Sequence, residues 1–315
     1  MTDLRYAIVL YAYNHEDCVR AAARAMLAQD CPPTEIIFSD DCSKDGTFGI
    51  LEQEAAAYAG PHRVTLNRNP RNLGVIGHVH RIFELTDADV IINCAGDDLC
   101  HPHRARRIME TFEQGRPWLV CSHAAVVDAE GRPAPRVYAK ADFYHAVDAT
   151  RAATSMQLYL GATSAWHRDL FSAFGPIRFE ECFEDLVCGF RAALAGRVAV
   201  IDEELVTYRI GAGLTNSAHR AETLADTRRR RECELRMQIA VLKQRAVDLE
   251  TFGHAEQDRM QRAISKALAA RETRLRYITE GARALLGPAL RHPLATLRAA
   301  LSENRRWRKA KARKR

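Results

Sequence analysis

The stretch Asp89-Val-Ile-Ile-Asn-Cys-Ala-Gly-Asp-Asp98 decides how the rest of the chain is read. Val90, Ile91 and Ile92 form a short apolar run that suits a strand buried on both faces, and the run stops at a small residue, a glycine and two adjacent carboxylates. Neighbouring acids repel each other, so the pair is tolerable where water solvates it or where a divalent cation sits between it and a ligand. A solvated turn is the ordinary meaning of an isolated Gly-Asp-Asp. The flanking sequence points elsewhere.

Upstream, Tyr6 to Leu10 reads as a buried strand running into Tyr11-Ala-Tyr13-Asn-His15, followed by a helical pattern over 16–29 that starts near Asn14 or His15. Pro32 and Pro33 end it. Glu35 to Phe38 is a second strand, delivering Ser39-Asp40-Asp41-Cys42-Ser43-Lys44-Asp45-Gly46-Thr47, and 45–58 returns as a helix. Val64 to Asn67 is a third strand, Asn72-Leu73-Gly74 opens a helix to about Leu85, and Pro102 starts another. Strands alternating with helices imply a parallel sheet covered on its faces, an α/β fold. Ligands of such sheets bind at the carboxyl ends of the strands, so Asp40-Asp41 and Asp97-Asp98 fall on one rim.

Beyond this point the signals thin. Trp118 to Val127 reads as a strand whose partner follows the Glu130-Gly131 turn, and 142–165 as loop with one short helix. Helices are expected over 167–174 and 183–195, and two short strands over 198–201 and 205–210.

The chain of 315 residues contains no run of 18 apolar residues, and its first residues lack a basic region followed by an apolar one. Neither a spanning helix nor a signal peptide is expected, which places the protein in the cytoplasm. Nine scattered cysteines do not form a disulfide framework and read as reduced thiols. Cys94, Cys100, His101 and His103 match no common zinc spacing. Asp41, Ser43, Asp45, Gly46 and Glu52 do match the spacing of a calcium-binding EF-hand loop, but such a loop is entered from a helix and here a strand precedes it.

Ile8 to His15, Ile36 to Thr47, Asn72-Leu73-Gly74 and Ala95 to Asp98, continuing in Phe183-Glu-Asp-Leu186 and Ile201 to Arg209, together resemble the family 2 glycosyltransferases of GT-A fold. The resemblance covers about residues 4–216. It implies an inverting enzyme that moves a sugar from a nucleotide diphosphate donor, most simply a UDP-sugar, to an acceptor hydroxyl on a glycan or lipid-linked molecule. It also implies a divalent cation, Mg2+ or Mn2+, to neutralise the diphosphate leaving group. By that resemblance Asp98 aligns with the metal-binding carboxylate and Asp97 with the acid that contacts the ribose. Asp41 aligns with the acceptor for the base, Tyr11 and Tyr13 with residues lining the base pocket, and Asp185 with the general base that takes the acceptor's proton.

Two departures qualify this. Many relatives carry a histidine ligand shortly after the Tyr-Arg pair, whereas Tyr208-Arg209 is followed by Ile-Gly-Ala-Gly-Leu-Thr-Asn, and His219 lies too far along to replace it. Where relatives carry an arginine and an asparagine facing the donor, this chain has Val79 and His80. His78 or His80 could face the phosphates, a place on the helix surface being the commoner fate. A non-catalytic nucleotide-sugar-binding or scaffold protein on the same fold is the rival reading. Nucleotidyltransfer is a weaker one, because 11–17 holds no glycine-rich basic loop.

Charge divides the chain. Residues 1–216 carry 21 basic and 29 acidic side chains, net −8, and residues 217–315 carry 25 and 11, net +14. We divide it accordingly into a catalytic domain over 1–216, a helical extension over 217–288 and a basic tail over 289–315. Leu235, Ile239, Leu242, Ala246 and Leu249 recur at helical spacing, suited to packing on the body, to a hairpin or to a homo-oligomer. Gly253 breaks that helix, a second carries Ile264, Leu268, Leu275 and Ile278 on one side, and Gly287-Pro288 ends it. Leu294, Leu297 and Leu301 then precede Trp307 and eight basic residues, a pattern suited to an anionic membrane surface on the inner face of the cell membrane. A solubilising tail is the alternative, and nucleic acid is the least favoured partner.

Overall fold

A computed structural model describes residues 4–210, 223–285 and 293–312. The elements in order are β1 (Tyr6–Ala12), α1 (Val19–Leu27), β2 (Glu35–Asp40), α2 (Thr47–Ala57), β3 (Arg63–Arg68), α3 (Gly74–Leu85), β4 (Val90–Ala95), β5 (Leu99–Cys100), α4 (Arg104–Gly115) and β6 (Leu119–Val127). There follow α5 (Ala149–Ala152), β7 (Ala165–His167), α6 (Asp169–Ser172), α7 (Glu184–Leu194) and β8 (Val198–Arg209). Among the described residues three longer helices follow: α8 (Leu224–Phe252), α9 (Gln257–Glu280) and α10 (Pro293–Ala312).

One sheet runs in the order β3-β2-β1-β4-β7-β6-β8-β5. Strands β1 to β4 are mutually parallel, β6 and β8 are parallel, and β7 and β5 pair antiparallel with their neighbours. The apolar runs explain this half of the sheet, since Ala7 to Leu10, Ile36 to Phe38 and Val90 to Ile92 are buried on both faces. The register Tyr11↔Ser39 and Tyr11↔Ala95 brings the ends of β2, β1 and β4 level.

Several elements depart from the sequence reading. Helix α1 starts three residues later than expected, because Asn14 (φ 54°) and the backbone of His15 are committed to the neighbouring β2–α2 loop. Strand β6 finds its partners in β7 and β8, and the segment after Gly131 returns only as a single bridge from Val127 to Pro133. The two short strands expected over 198–210 are one strand, irregular opposite Ser122 and His123. The polar break between them is Asp202-Glu203-Glu204, where Glu203 pairs with Arg107 at 2.6 Å and Glu204 with Arg136. The expected helix over 167–174 shrinks to α6, and β7 enters the sheet just before it.

The helical extension is packed into the body. Ala240, Val241, Leu242, Leu249, Met260 and Ile264 share one apolar cluster with Phe190, Trp166 and Leu158, and Leu235 is fully buried. The stripe read as a packing or oligomerisation face is therefore spent within the chain. Between α7 and α8 lies a polar seam with no exposure: Arg191 donates to Asp248 at 3.0 and 2.9 Å and to the carbonyls of Leu170 and Gly175, and Gln244 bonds Asp248 at 2.8 Å. Gly253 ends α8 with φ 75°, as expected. Gly287-Pro288 and Arg313 to Arg315 lie outside the described residues.

Removing Asp248 would strand a buried guanidinium. Asp248→Ala is expected to cost about 3–5 kcal/mol, read as a fall of about 10 °C in Tm by calorimetry, with Asp248→Asn costing less because it keeps hydrogen-bonding oxygen in place. Equal melting of Asp248→Ala and the parent protein would show that the seam contributes nothing to stability.

Candidate active site

The carboxyl rim of β2, β1 and β4 is held by hydrogen bonds between loops. Asn14 N–H donates to Ser43 Oγ (2.8 Å), His15 N–H to Thr47 Oγ1 (2.8 Å), Lys44 N–H to Asn14 Oδ1 (2.9 Å) and Gly46 N–H to Glu16 Oε2 (2.8 Å). Asp45 accepts from Thr47 and from Glu16 N–H, and Glu52 is exposed on α2, so the EF-hand spacing has no common centre. Asp40 is fully buried and accepts from Ser43 N–H at 2.9 Å, with Arg68 at 3.5 Å.

Asp41 is also buried. Its Oδ1 accepts from Asn69 Nδ2 (2.8 Å) and Leu73 N–H (2.9 Å) and its Oδ2 from Gly74 N–H (3.0 Å), which ties the Asn72-Leu73-Gly74 turn to the end of β2. The two free backbone donors at the start of α3 thus go to a carboxylate. Tyr11 meets His78 edge to ring at 5.1 Å and its phenol donates to Asn93 Oδ1 (3.2 Å). Tyr13 is half-buried on the same loop.

His78 is buried and His80 half-buried. His78 is buried, with Nε2 2.6 Å from Ser39 Oγ, and burial pushes its pKa down; His80 accepts from Ile177 N–H at 3.2 Å. His78 is thus held against β2, and His80 against Ile177 and the Phe171 ring of α6.

At the end of β4, Gly96 N–H donates to Tyr11 O (2.9 Å). A Cβ on Gly96 would lie 2.6 Å from His15 Nδ1, so the close approach of the two loops requires glycine. Asp97 and Asp98 follow, both buried. Asp98 Oδ1 accepts from Arg209 N–H (3.0 Å), but Oδ2 is buried with no donor among the described residues. Burial first, and the charge of Asp97 second, push the Asp98 carboxyl well above the usual carboxylate range. His15 Nδ1 is another buried atom without a partner among the described residues.

These donors fit a divalent cation. A small hard cation such as Mg2+ is held by one or two carboxylates and by substrate phosphates more often than by a full protein cage. Accordingly, no group of three or more His, Cys, Asp or Glu side chains among the described residues could hold a metal without a ligand's help. Cys94 and Cys100 do not form a metal site with His101 and His103. Arg104 Nη1 contacts Cys94 Sγ at 3.0 Å and Cys100 Sγ at 3.4 Å, and His101 bonds Thr207 Oγ1 at 3.1 Å.

Arg104 itself was not legible in the sequence. Fully buried under the rim, it also donates to the carbonyls of Asn93 (2.8 Å) and Ser164 (3.2 Å), joining β4 to the turn before β7.

Asp185 stands in the first turn of α7. Its Oδ1 accepts from its neighbour Leu186 N–H (2.7 Å), and a Cβ on Gly161 would lie 3.2 Å from Asp185 Cβ. The Gly161 to Thr163 turn, in which that glycine lies, leads directly into Ser164, bonded to Asn93 of β4. Glu184 is near enough to Tyr11 to raise that phenol's pKa after burial has done so. These links put the start of α7 on the same side of the sheet as the acidic rim. Shelter from water raises Asp185 to about 6, and shelter together with the charge of Asp185 raises Glu184 to about 8. Arg245, also missed in the sequence, reaches from α8 to the carbonyls of Leu186 (2.8 Å) and Ser155 (2.6 Å), and burial lowers its pKa to about 9.

A mostly parallel sheet flanked by helices, with acidic loops along the carboxyl rim of its parallel half, is the architecture of a GT-A type glycosyltransferase. The profile described as Glycosyl transferase family 2 matches residues 7–175, more than half of the chain, and the protein belongs to that family. It is a glycosyltransferase. Among its relatives, Rv1520 of Mycobacterium tuberculosis is 27% identical over 313 residues, covering 96% of this chain and 83% of the relative. The succinoglycan biosynthesis protein ExoO of Rhizobium meliloti is 31% identical over 132 residues, 39% of this chain and 34% of its own. Similar folds occur in Staphylococcus aureus TarS 1-349 with UDP-GlcNAc (TM-score 0.59, 15% identity, covering 95% of this chain and 79% of that one). Another is the Pyrobaculum calidifontis mannosyltransferase PcManGT with GDP-Man and Mn2+ (TM-score 0.58, 14% identity, 98% and 83%).

The raised pKa of Glu184 has a stability consequence. A carboxyl whose pKa is higher folded than unfolded binds its proton more tightly in the native state, so stability falls as pH rises from the ordinary glutamate value near 4.5 through about 8. Glu184→Gln removes that loss, partly offset by about 0.5 kcal/mol of lost attraction to the start of α7. At pH 8 the variant is expected to be more stable by on the order of 1 kcal/mol, and at pH 4.5 no more stable than the parent, by thermal melts at both pH values. A variant equally or less stable at pH 8 would contradict this.

Proposed function

We propose that this protein is an inverting, cation-dependent glycosyltransferase that moves a sugar from a nucleotide diphosphate donor to an acceptor hydroxyl in surface polysaccharide or glycolipid assembly. The observation that carries the reading is Asp98 Oδ2, a carboxylate oxygen buried without a donor among the described residues, on the rim where Tyr11, Asp41 and Asp97 also end. TarS and PcManGT, which share the fold, are described with UDP-GlcNAc and with GDP-Man and Mn2+. ExoO, a family relative over the N-terminal part, is named for succinoglycan biosynthesis.

In this reading Tyr11 and Tyr13 wall the base, and Asp41 accepts from it. Three N–H groups already occupy the Asp41 carboxylate, and Oδ2 with a single donor keeps a lone pair for the base, most simply the imide of uracil. Asp97 receives the ribose hydroxyls. Asp98, with Asp97 behind it, would hold a Mg2+ or Mn2+ ion, whose chemistry when bound is to neutralise charge on the leaving diphosphate.

Asp185 accepts the proton of the acceptor hydroxyl as the new C–O bond forms on the face opposite the departing diphosphate. Leu186 N–H fixes Oδ1 and leaves Oδ2 to take that proton. A pKa of about 6 keeps Asp185 ionised at neutral pH yet more basic than an exposed aspartate. Leu297 and Leu301 are exposed on α10, while Ala299 and Glu303 face inward, which leaves an apolar and basic edge with Arg305 and Arg306 for an anionic membrane surface and a lipid-linked acceptor.

Asp98→Ala is expected to abolish sugar transfer and to remove the cation-dependent thermal stabilisation by UDP. Asp185→Asn is expected to lower turnover by at least about a hundredfold while leaving that stabilisation intact. Retention of turnover by both variants would refute the assignment. In the parent enzyme kcat/KM should rise with pH and level off above about 6, as Asp185 ionises. A profile flat from pH 5 to 8 would show that no group of this pKa acts as base.

A further inference from the structure

A cleft of about 880 Å³ opens beside Asp185, and its walls include none of Asp41, Asp97 and Asp98. One side is the segment from Val137 to Leu160. The other comes from the helical extension, which contributes Arg231, Arg271, Arg274 and Arg306; Lys140 lines the cleft from the body. Arg231 is neutralised by Glu234 at 2.7 Å and Glu303 at 2.8 Å.

The other four cations have no carboxylate partner among the described residues. Arg271 spends Nε on Gln238 Oε1 (3.0 Å) and Nη1 on Ala267 O (3.2 Å), both neutral acceptors. Arg274 has its Nε buried with no acceptor among the described residues. The two arginines lie three residues apart on α9 and so share a face, partly sheltered from water. Burial, then repulsion from Arg274 and Arg231, pushes the pKa of Arg271 down. Gathering like charges in a sheltered place is unfavourable unless an anion completes them.

We propose that the acceptor carries a phosphate group, and that Arg271 and Arg274 hold it in this cleft while the acceptor hydroxyl faces Asp185. The assignment of an acceptor, though not of an anion site, rests on the glycosyltransferase reading above. One guanidinium fork satisfies a carboxylate, whereas two adjacent arginines, with Lys140 lining the same cleft, match the larger charge and additional oxygens of a phosphate ester. The donor diphosphate does not compete for this role, since its site lies at Asp98. The phosphate could be borne by a lipid or by a water-soluble glycan.

The test is calorimetric titration of inorganic pyrophosphate into the full chain in EDTA, where cation-dependent binding at Asp98 is absent. The parent protein is expected to bind, Arg274→Gln to bind about tenfold more weakly, the Arg271→Gln/Arg274→Gln double variant more weakly still, and Arg274→Lys to recover part of the loss. Arg274→Gln removes no hydrogen bond within the described protein, so it remains informative if the double variant fails to fold. No binding to the parent protein, or equal binding to parent and Arg274→Gln, would overturn the proposal. Sedimentation with phosphatidylcholine vesicles, with and without phosphatidic acid, separates the sources. Phosphatidic acid-dependent binding that falls in Arg274→Gln supports a lipid-borne phosphate, and pyrophosphate binding alone supports a soluble one. UDP stabilisation with Mn2+, measured on the same preparations, separates the two readings. Its absence alongside arginine-dependent pyrophosphate binding would defeat the donor assignment and leave the anion site standing, whereas its presence without pyrophosphate binding would defeat only the anion site.

Discussion

A carboxylate oxygen taken out of water without a donor is among the costlier arrangements a folded chain can hold, and among the described residues nothing donates to Asp98 Oδ2. The surroundings keep it so. Arg209 N–H fixes the other oxygen, Asp97 adds a like charge, and Gly96 lets the loop close against Tyr11 and His15. Beneath the rim, the buried Arg104 fastens β4 to the turn before β7. In isolation the result is a carboxyl that holds its proton to unusually high pH. A cation binding there would displace the proton and supply the missing partner, so affinity for the cation and its pH dependence are linked.

The opposite wall of the site depends on the helical extension. Helix α7 carries Asp185 and Glu184 at its start, and along its length it is held by Arg191 to Asp248 and by Arg245 to the Leu186 carbonyl, both from α8. The basic C-terminal third is thus part of the architecture that places the proposed base, and it also forms one side of the cleft into which Asp185 opens.

The sequence made the parallel half of the fold readable because Ile8 to Leu10, Ile36 to Phe38 and Val90 to Ile92 are continuous apolar runs, the pattern of strands covered on both faces. It hid β5 and β7, which are two and three residues long and show no period, and it split β8 at acids that face arginines across an irregular register. The acidic rim was legible as motifs. The arginines that organise it were not, since a guanidinium under a sheet and one on a surface look alike in sequence. Arg104 begins α4, where an exposed residue is ordinary, and Arg245 and Asp248 sit amid a charged helix whose inward face is revealed only by α7.

The most direct test of the central claim is a crystal structure of the protein with UDP and Mn2+, with the cation located by anomalous scattering. The account predicts a manganese ion about 2 Å from Asp98 Oδ2, bridging that oxygen to the diphosphate. A diphosphate bound through basic side chains alone, with Asp98 Oδ2 still without a partner, would contradict it.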